Sequence, residues 1–135
     1  MRTRAVLTDE DVLKMAEAAV AHARANQWNV TVAIVDDGAH LLFLRRLDGA
    51  SPITAEIAMA KARTAALGRR ESKVYEDVIK QGRTAFLSAP LTGMLEGGVP
   101  VVVNGDVIGA VGVSGVKSDQ DAAIARAGIA ALGAG

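Results

Sequence analysis

The fold is decided by residues 95–115, which read LEGGVPVVVNGDVIGAVGVSG. Asn104-Gly105 separates two runs rich in β-branched residues, and this dipeptide is typical of a type I′ turn, in which both central residues take positive φ. The segment therefore predicts a tight antiparallel hairpin. Glu96-Gly97-Gly98 leads into its first strand, and adjacent glycines beside a carboxylate form either a simple turn or the floor of a ligand site.

An earlier segment predicts a second hairpin. Residues 28–36 alternate as a strand, with Trp28, Val30, Val32 and Ile34 on one face. Residues 36–39, Asp-Asp-Gly-Ala, are typical of a turn. The return strand is predicted over residues 40–47.

Helices are predicted around these hairpins, over residues 8–26, 51–68, 72–82 and 118–132. Thr8 and Asp11 form a capping-box pattern at the first helix, and Ser51-Pro52 opens the second, which Gly68 can end. Residues 85–88 can add a short strand. The order favours an α+β fold in which helices pack on an antiparallel sheet of about five strands, with residues 1–135 as a single domain.

The amino-acid composition predicts a core built mainly from small side chains. The chain has 135 residues, of which half are hydrophobic, but it contains only four aromatic side chains. Alanine dominates the predicted helices, and small side chains bury little area each. We therefore expect further apolar surface to be buried between subunits of a homo-oligomer.

The composition and the net charge disfavour several classes of protein. The formal net charge is zero and aromatic residues are scarce, so nucleic acid is not an expected partner. No apolar run approaches the length of a membrane span, and the N-terminus lacks an export signal, which favours a cytoplasmic protein without a membrane partner. The absence of cysteine excludes disulfides, thiolate metal sites and a cysteine nucleophile.

Two histidines are candidate functional residues. His22 borders the apolar face of the first helix, where an imidazole is either a metal ligand, a general base or an ordinary half-buried side chain. His40 follows the Asp-Asp-Gly turn, where a side chain can meet a ligand or remain solvated. Asp36 can orient His40 or simply stabilise the turn.

Lys61 is an unusual charge, because it follows Ile53 and Ile57 at four-residue steps on an apolar stripe. It is either a buried cation that needs an anion or a lysine whose ammonium group reaches the edge of the core. Arg63 lies two residues on and points elsewhere. The charged residues 69–77 are expected to form a solvated surface, and their carboxylates lack the spacing of a metal site.

The glycines do not form a nucleotide-binding motif. No helix follows Gly97-Gly98, and Gly109 and Gly112 lie inside a predicted strand rather than at its end. Glycines within a strand indicate the close approach of another backbone or of a flat ligand. Ser114 lacks the Gly-x-Ser-x-Gly pattern, which disfavours a serine hydrolase.

Five segments together resemble the GlcG/HbpS family, which includes the C-terminal domain of PduO-type proteins, and the similarity is greatest to the GlcG branch. They are VDDGAHLL (35–42), KARTAALGRRE (61–71), GRTAF (82–86), EGGVPV (96–101) and GDVIGAVGVSG (105–115). The resemblance implies a profilin-like domain that forms oligomers built from dimers. It also implies haem binding, which some members show, and GlcG-type members accompany glycolate utilisation.

The resemblance leads to a haem-binding hypothesis. His22 is the expected iron ligand, with His40 as the other candidate, while Lys61 and Arg63 are expected to meet the propionates. Gly97, Gly98 and the glycine-bearing strand would face the ring. Family members use either a threonine or a first-helix histidine as the iron ligand, and in this chain Val99, which cannot bind iron, follows the two glycines.

Two alternatives remain open at this stage. The first is a small-molecule enzyme or sensor for organic acids, in which His40 or Glu96 acts as acid and base. Lys61 or Arg63 would then clamp the anion, and the amides of Gly97-Gly98 would stabilise an oxyanion. The second is a purely structural oligomeric partner without a ligand.

Overall fold

A computed structural model describes residues 1–133 of the chain. Its elements are α1 (Asp9–Ala25), β1 (Thr31–Asp36), β2 (Leu41–Arg46), α2 (Ile53–Gly68), α3 (Lys73–Lys80), a 3-10 helix (Thr84–Ser88), β3 (Gly98–Val103), β4 (Asp106–Ser114) and α4 (Ser118–Ala130). The four strands form one antiparallel sheet in the order β2-β1-β4-β3.

Helices cover both faces of the sheet. Helices α1 and α4 pack on each other and on the face that carries Val32, Ile34 and Val111, and together they enclose the main core. Helix α2 packs on the opposite face through a thin layer rich in alanine. The α+β class and the packing of helices on an antiparallel sheet, both predicted from the sequence, are therefore confirmed.

Local signals in the sequence are reproduced closely. Asn104 and Gly105 have φ values of 51° and 81°, as a type I′ turn requires. The Thr8 hydroxyl accepts a hydrogen bond from the Asp11 amide, and the Asp11 carboxylate accepts one from the Thr8 amide, which completes the capping box of α1.

Three local predictions are wrong in whole or in part. The sheet has four strands rather than five, because residues 84–88 form a 3-10 turn held by bonds such as Phe86 N–H to Arg83 O. Gly68 is the last residue of α2, as predicted, but it does not form the left-handed cap, because Arg69 takes that position with φ of 57°. Ser72 is the N-cap residue of α3, but it makes no side-chain capping bond, because its hydroxyl donates to the Leu95 carbonyl and accepts from the Gly98 amide.

Glycines in the sheet allow α2 to approach its backbone closely. A Cβ atom at Gly112 would lie 2.2 Å from the Ala58 carbonyl oxygen, and one at Gly98 would lie 2.2 Å from the Lys61 carbonyl oxygen. The other strand glycine, Gly109, is covered by the side chain of Leu7. Glycines within a strand indicated the close approach either of another backbone or of a flat ligand. At these positions the structure shows the close approach of neighbouring protein segments.

Within the described residues, no helix combines the length and the apolar character needed to cross a bilayer.

Candidate functional site

An apolar groove lies between α3, the 3-10 helix and the loop that leads into β3. Its volume is about 440 Å³, which falls within the range of small-molecule and cofactor sites. The apolar part of its lining consists of Ile79, Leu87, Leu91, Met94 and Leu95. The groove therefore offers an apolar surface with a thioether sulfur as a soft donor.

One wall of the groove is a loop, residues 91–96, that the protein fixes at several points. The Thr64 hydroxyl donates to the Thr92 carbonyl oxygen, and the Ser72 hydroxyl donates to the Leu95 carbonyl oxygen. Gly93, with φ of 71°, lies so close to α2 that a Cβ there would be 2.7 Å from the Ala60 backbone. The wall is thus held in place by the rest of the fold.

Charged groups occupy the rim of the groove. The Glu76 carboxylate accepts a hydrogen bond from the Glu96 amide at 3.1 Å and pairs with Lys80 at 2.9 Å. Partial burial acts to raise the pKa of Glu76, but the Lys80 ammonium and the Glu96 N–H outweigh it, so the pKa lies below its ordinary value. Glu76 therefore holds a negative charge at the rim, and Lys80, whose side chain is 70% exposed, supplies a positive one.

Lys61 is a buried cation with a partner inside the chain. Its side chain is 4% exposed, and Nζ lies 3.1 Å from Asp121 Oδ2 and 3.0 Å from the Val113 carbonyl oxygen. Burial raises the pKa of Asp121 above its ordinary value, and Lys61 and the Val116 N–H partly offset that increase. An external anion would reach Lys61 only by displacing Asp121, so Lys61 joins α2 to α4 across the end of the sheet.

Gly97 and Gly98 are buried around the same lysine. A side chain at Gly97 would lie 2.8 Å from Lys61 Nζ. The Gly97 carbonyl accepts from Val113 N–H, and the Gly98 amide donates to the Ser72 hydroxyl. The two glycines therefore serve packing and internal hydrogen bonds in this structure, while Glu96 lies beside Glu76 at the groove.

His40 and Arg63 lie together at the turn between β1 and β2, away from the groove lining. The Arg63 guanidinium donates to the Ala39 carbonyl oxygen at 2.9 Å. The His40 side chain is 81% exposed, and its Nδ1 lies 3.3 Å from Asp36 Oδ1. The same carboxylate oxygen accepts hydrogen bonds from the Gly38 and His40 amides. Asp36 thus both stabilises the turn and contacts His40.

The stability that Asp36 provides is expected to depend on pH. Partial burial acts to raise its pKa, but the His40 and Gly38 amides outweigh it, so the folded-state pKa lies below 3.8. A depressed pKa contributes stability above the unfolded value, and this contribution is lost as pH falls through the folded value. Urea unfolding of Asp36→Asn should show a deficit near neutral pH that shrinks at acidic pH.

Asp48→Asn, which removes a carboxylate on an exposed residue, is the matched control for this measurement. It should show little change at any pH. A deficit of Asp36→Asn that stays constant from neutral pH to well below 3.8 would show that charge on Asp36 is not involved.

His22 lies on α1, half-buried, at a third location. Its ring centroid is 6.0 Å from that of Trp28, with the rings tilted by 54°. Among the described residues, no group of three or more His, Cys, Asp and Glu side chains is placed to hold a metal ion. The sequence-predicted residues are therefore dispersed: Lys61, Gly97 and Gly98 meet in the interior, His40 and Arg63 each contact the turn between β1 and β2, and His22 is separate.

Sequence reasoning missed the groove, because the segment over residues 83–98 looked irregular. A usable signal was present, since Leu87, Leu91 and Leu95 recur at four-residue steps. Pro90 disfavours a regular helix here, but the helical spacing of the leucines still indicates that their side chains lie on one side of the segment.

Comparison with known proteins adds to this geometry. A family model described as "Haem degrading protein HbpS-like" matches residues 7–130. The chain belongs to this HbpS-like family. It is 54% identical to Protein GlcG of Escherichia coli strain K12 over 114 residues, which cover 84% of this chain and 85% of GlcG. The resemblance inferred from the five segments is thereby confirmed.

Solved structures of the HbpS-like family share the fold. A double mutant of Streptomyces reticuli HbpS superposes with a TM-score of 0.87 at 34% identity, covering 98% of this chain and 91% of that one. A structure described as a PduOC:heme complex gives a TM-score of 0.86 at 29% identity, covering 97% and 98% of the two chains. One neighbour of this fold therefore has haem bound.

Proposed function

We propose that this protein binds haem or a related tetrapyrrole in the apolar groove. The observation that carries the proposal is the groove itself, whose apolar lining suits a flat macrocycle. Lys80 at the rim supplies a cation for a propionate. The haem complex of PduOC, which has a similar fold, supports tetrapyrrole binding by this fold.

The iron ligand is the second part of the proposal. When bound, haem supplies an iron centre whose reactivity depends on its axial ligands. Met94 is the sulfur donor that lines the groove, and a methionine thioether is a known axial ligand of haem. His22 and His40 are the imidazole candidates from the sequence, and they lie outside the groove lining.

A hemin titration followed by Soret absorbance tests the function and its ligand together. We expect a saturable Soret change with the unaltered protein and a displaced band in Met94→Leu, because the iron loses its sulfur donor. His22→Ala and His40→Ala are the parallel variants. A band displaced only in one histidine variant would reassign the ligand, and the absence of a saturable change would reject tetrapyrrole binding.

An organic-acid site is the second candidate, favoured by the hydrogen bond from Arg63 to the carbonyl of Ala39, the residue that precedes His40. His40 would exchange the proton and Arg63 would bind the carboxylate. Thermal-shift measurements with glycolate and glyoxylate should show stabilisation that is lost in Arg63→Gln. A flat response to both acids would reject this candidate.

A further inference from the structure

Three arginines line a pocket at the end of the sheet where the two hairpin turns meet. Arg2 and Arg4 come from the N-terminal segment, and Arg69 follows α2. Residues 105–107, at the turn between β3 and β4, complete a cavity of about 270 Å³. None of these residues lines the apolar groove.

Arg69 is placed there at a conformational cost. Its φ is 57°, in the left-handed region where glycine or asparagine is preferred at the end of a helix. The backbone is therefore strained at Arg69, whose guanidinium reaches the pocket, and such strain often accompanies a functional position.

Hydrogen bonds hold Arg69 against the neighbouring turn. Its Nη1 atom donates to the carbonyl oxygens of Asp37 and Ala66. A guanidinium has five N–H donors, and among the described residues these two bonds engage one of its three nitrogens. Arg69 is therefore fixed in position while it still presents donors.

Positive charge exceeds negative charge in the pocket. Arg4 pairs with Asp37, and Arg2 lies 3.5 Å from Asp106. Three guanidinium groups thus face two carboxylates. Both pairs are partly exposed, with the Arg2 side chain 83% exposed, and exposed ion pairs contribute little. The N-terminal arginines can therefore turn toward an incoming anion at small cost.

We propose that this pocket binds a small divalent oxyanion, the chemistry shared by a phosphate group and a dicarboxylate, between Arg69 and the N-terminal arginines. The planar guanidinium fork matches the oxygens of either group with two parallel hydrogen bonds. The proposal is independent of tetrapyrrole binding, since the two sites share no lining residue.

Two-dimensional ¹H–¹⁵N NMR titration of the full chain tests the site. The probes are inorganic phosphate and malonate, each compared with sodium chloride at the same ionic strength. We expect saturable shifts centred on the amides of residues 105–107. Arg69→Gln should weaken binding by about tenfold or more, as loss of a charge-assisted bond predicts, and Arg4→Gln should weaken it in the same direction.

Arg70→Gln is the matched control, because Arg70 is the adjacent arginine and its guanidinium lies over the Tyr75 ring rather than in the pocket. It should bind as the unaltered protein does. Saturable shifts with phosphate alone or malonate alone would support the site and identify its ligand class. The proposal would be overturned if Arg69→Gln and Arg70→Gln weakened anion binding equally, or if Arg63→Gln weakened it more than Arg69→Gln did. The absence of a saturable shift with either probe would also overturn it.

Discussion

Replacing Lys61 with methionine is expected to lower the free energy of unfolding by about 3–5 kcal/mol, because it leaves the Asp121 carboxylate buried without its cation. Asp121 would then favour the protonated form in the folded state even more strongly. Because the pKa of Asp121 is higher in the folded than in the unfolded state, protonation at low pH favours the folded state. The difference in unfolding free energy between the variant and the unaltered protein should therefore shrink as pH falls. Urea unfolding across a pH series measures both effects.

The double variant Lys61→Met with Asp121→Asn separates charge from packing. The asparagine oxygen can still accept the Val116 amide, so the double variant should recover most of the lost stability. Lys73→Met is the control, because Lys73 pairs with Asp77 on a partly exposed helix surface and its loss should change the free energy of unfolding little. Equal losses in Lys61→Met and Lys73→Met would contradict a buried structural pair.

Gly112→Ala is expected to destabilise the protein by at least about 3 kcal/mol or to prevent folding, because overpacking displaces backbone. The added methyl would lie 2.2 Å from the Ala58 carbonyl oxygen and 2.5 Å from the Ala62 amide nitrogen, and neither is a flexible side chain. Helix α2 would have to move away from the sheet. Thermal and urea unfolding give the magnitude, and soluble yield identifies a failure to fold.

Gly105→Ala is the matched variant at the end of the same hairpin. Gly105 has φ of 81° but no atom within 4 Å of an added Cβ, so the cost is conformational strain of about 1–2 kcal/mol. The comparison separates lack of space at Gly112 from unfavourable φ at Gly105. Similar losses in both variants would mean that the close approach of α2 does not control stability.

The sequence predicted features that depend on neighbouring residues. The Asn104-Gly105 turn and the Thr8 capping box are set by residues adjacent in the chain, and both form as expected. The fifth strand at residues 85–88 did not form, because backbone bonds within the Arg83–Ala89 segment favour a 3-10 turn. A short apolar run does not distinguish these two outcomes.

The candidate site was less predictable, because its contacts are distant in sequence. Lys61 was recognisable as a charge on an apolar stripe, but its partner Asp121 lies 60 residues away in a segment that looked like a helix start. Gly97 and Gly98 suggested an open loop, whereas the Lys61 side chain and α2 fill the space that a Cβ would need. The groove was missed because its leucines surround Pro90 in a segment that looked irregular in the sequence.

Hemin titration of two exposed-leucine variants tests tetrapyrrole binding in the groove most directly. Leu87 lines the groove and is 62% exposed, and Leu67 lies on α2 outside the groove and is 48% exposed, so arginine should be tolerated for folding at both. Leu87→Arg should abolish the saturable Soret change by filling the groove, and Leu67→Arg should retain it. An unchanged titration in Leu87→Arg would contradict tetrapyrrole binding in the groove.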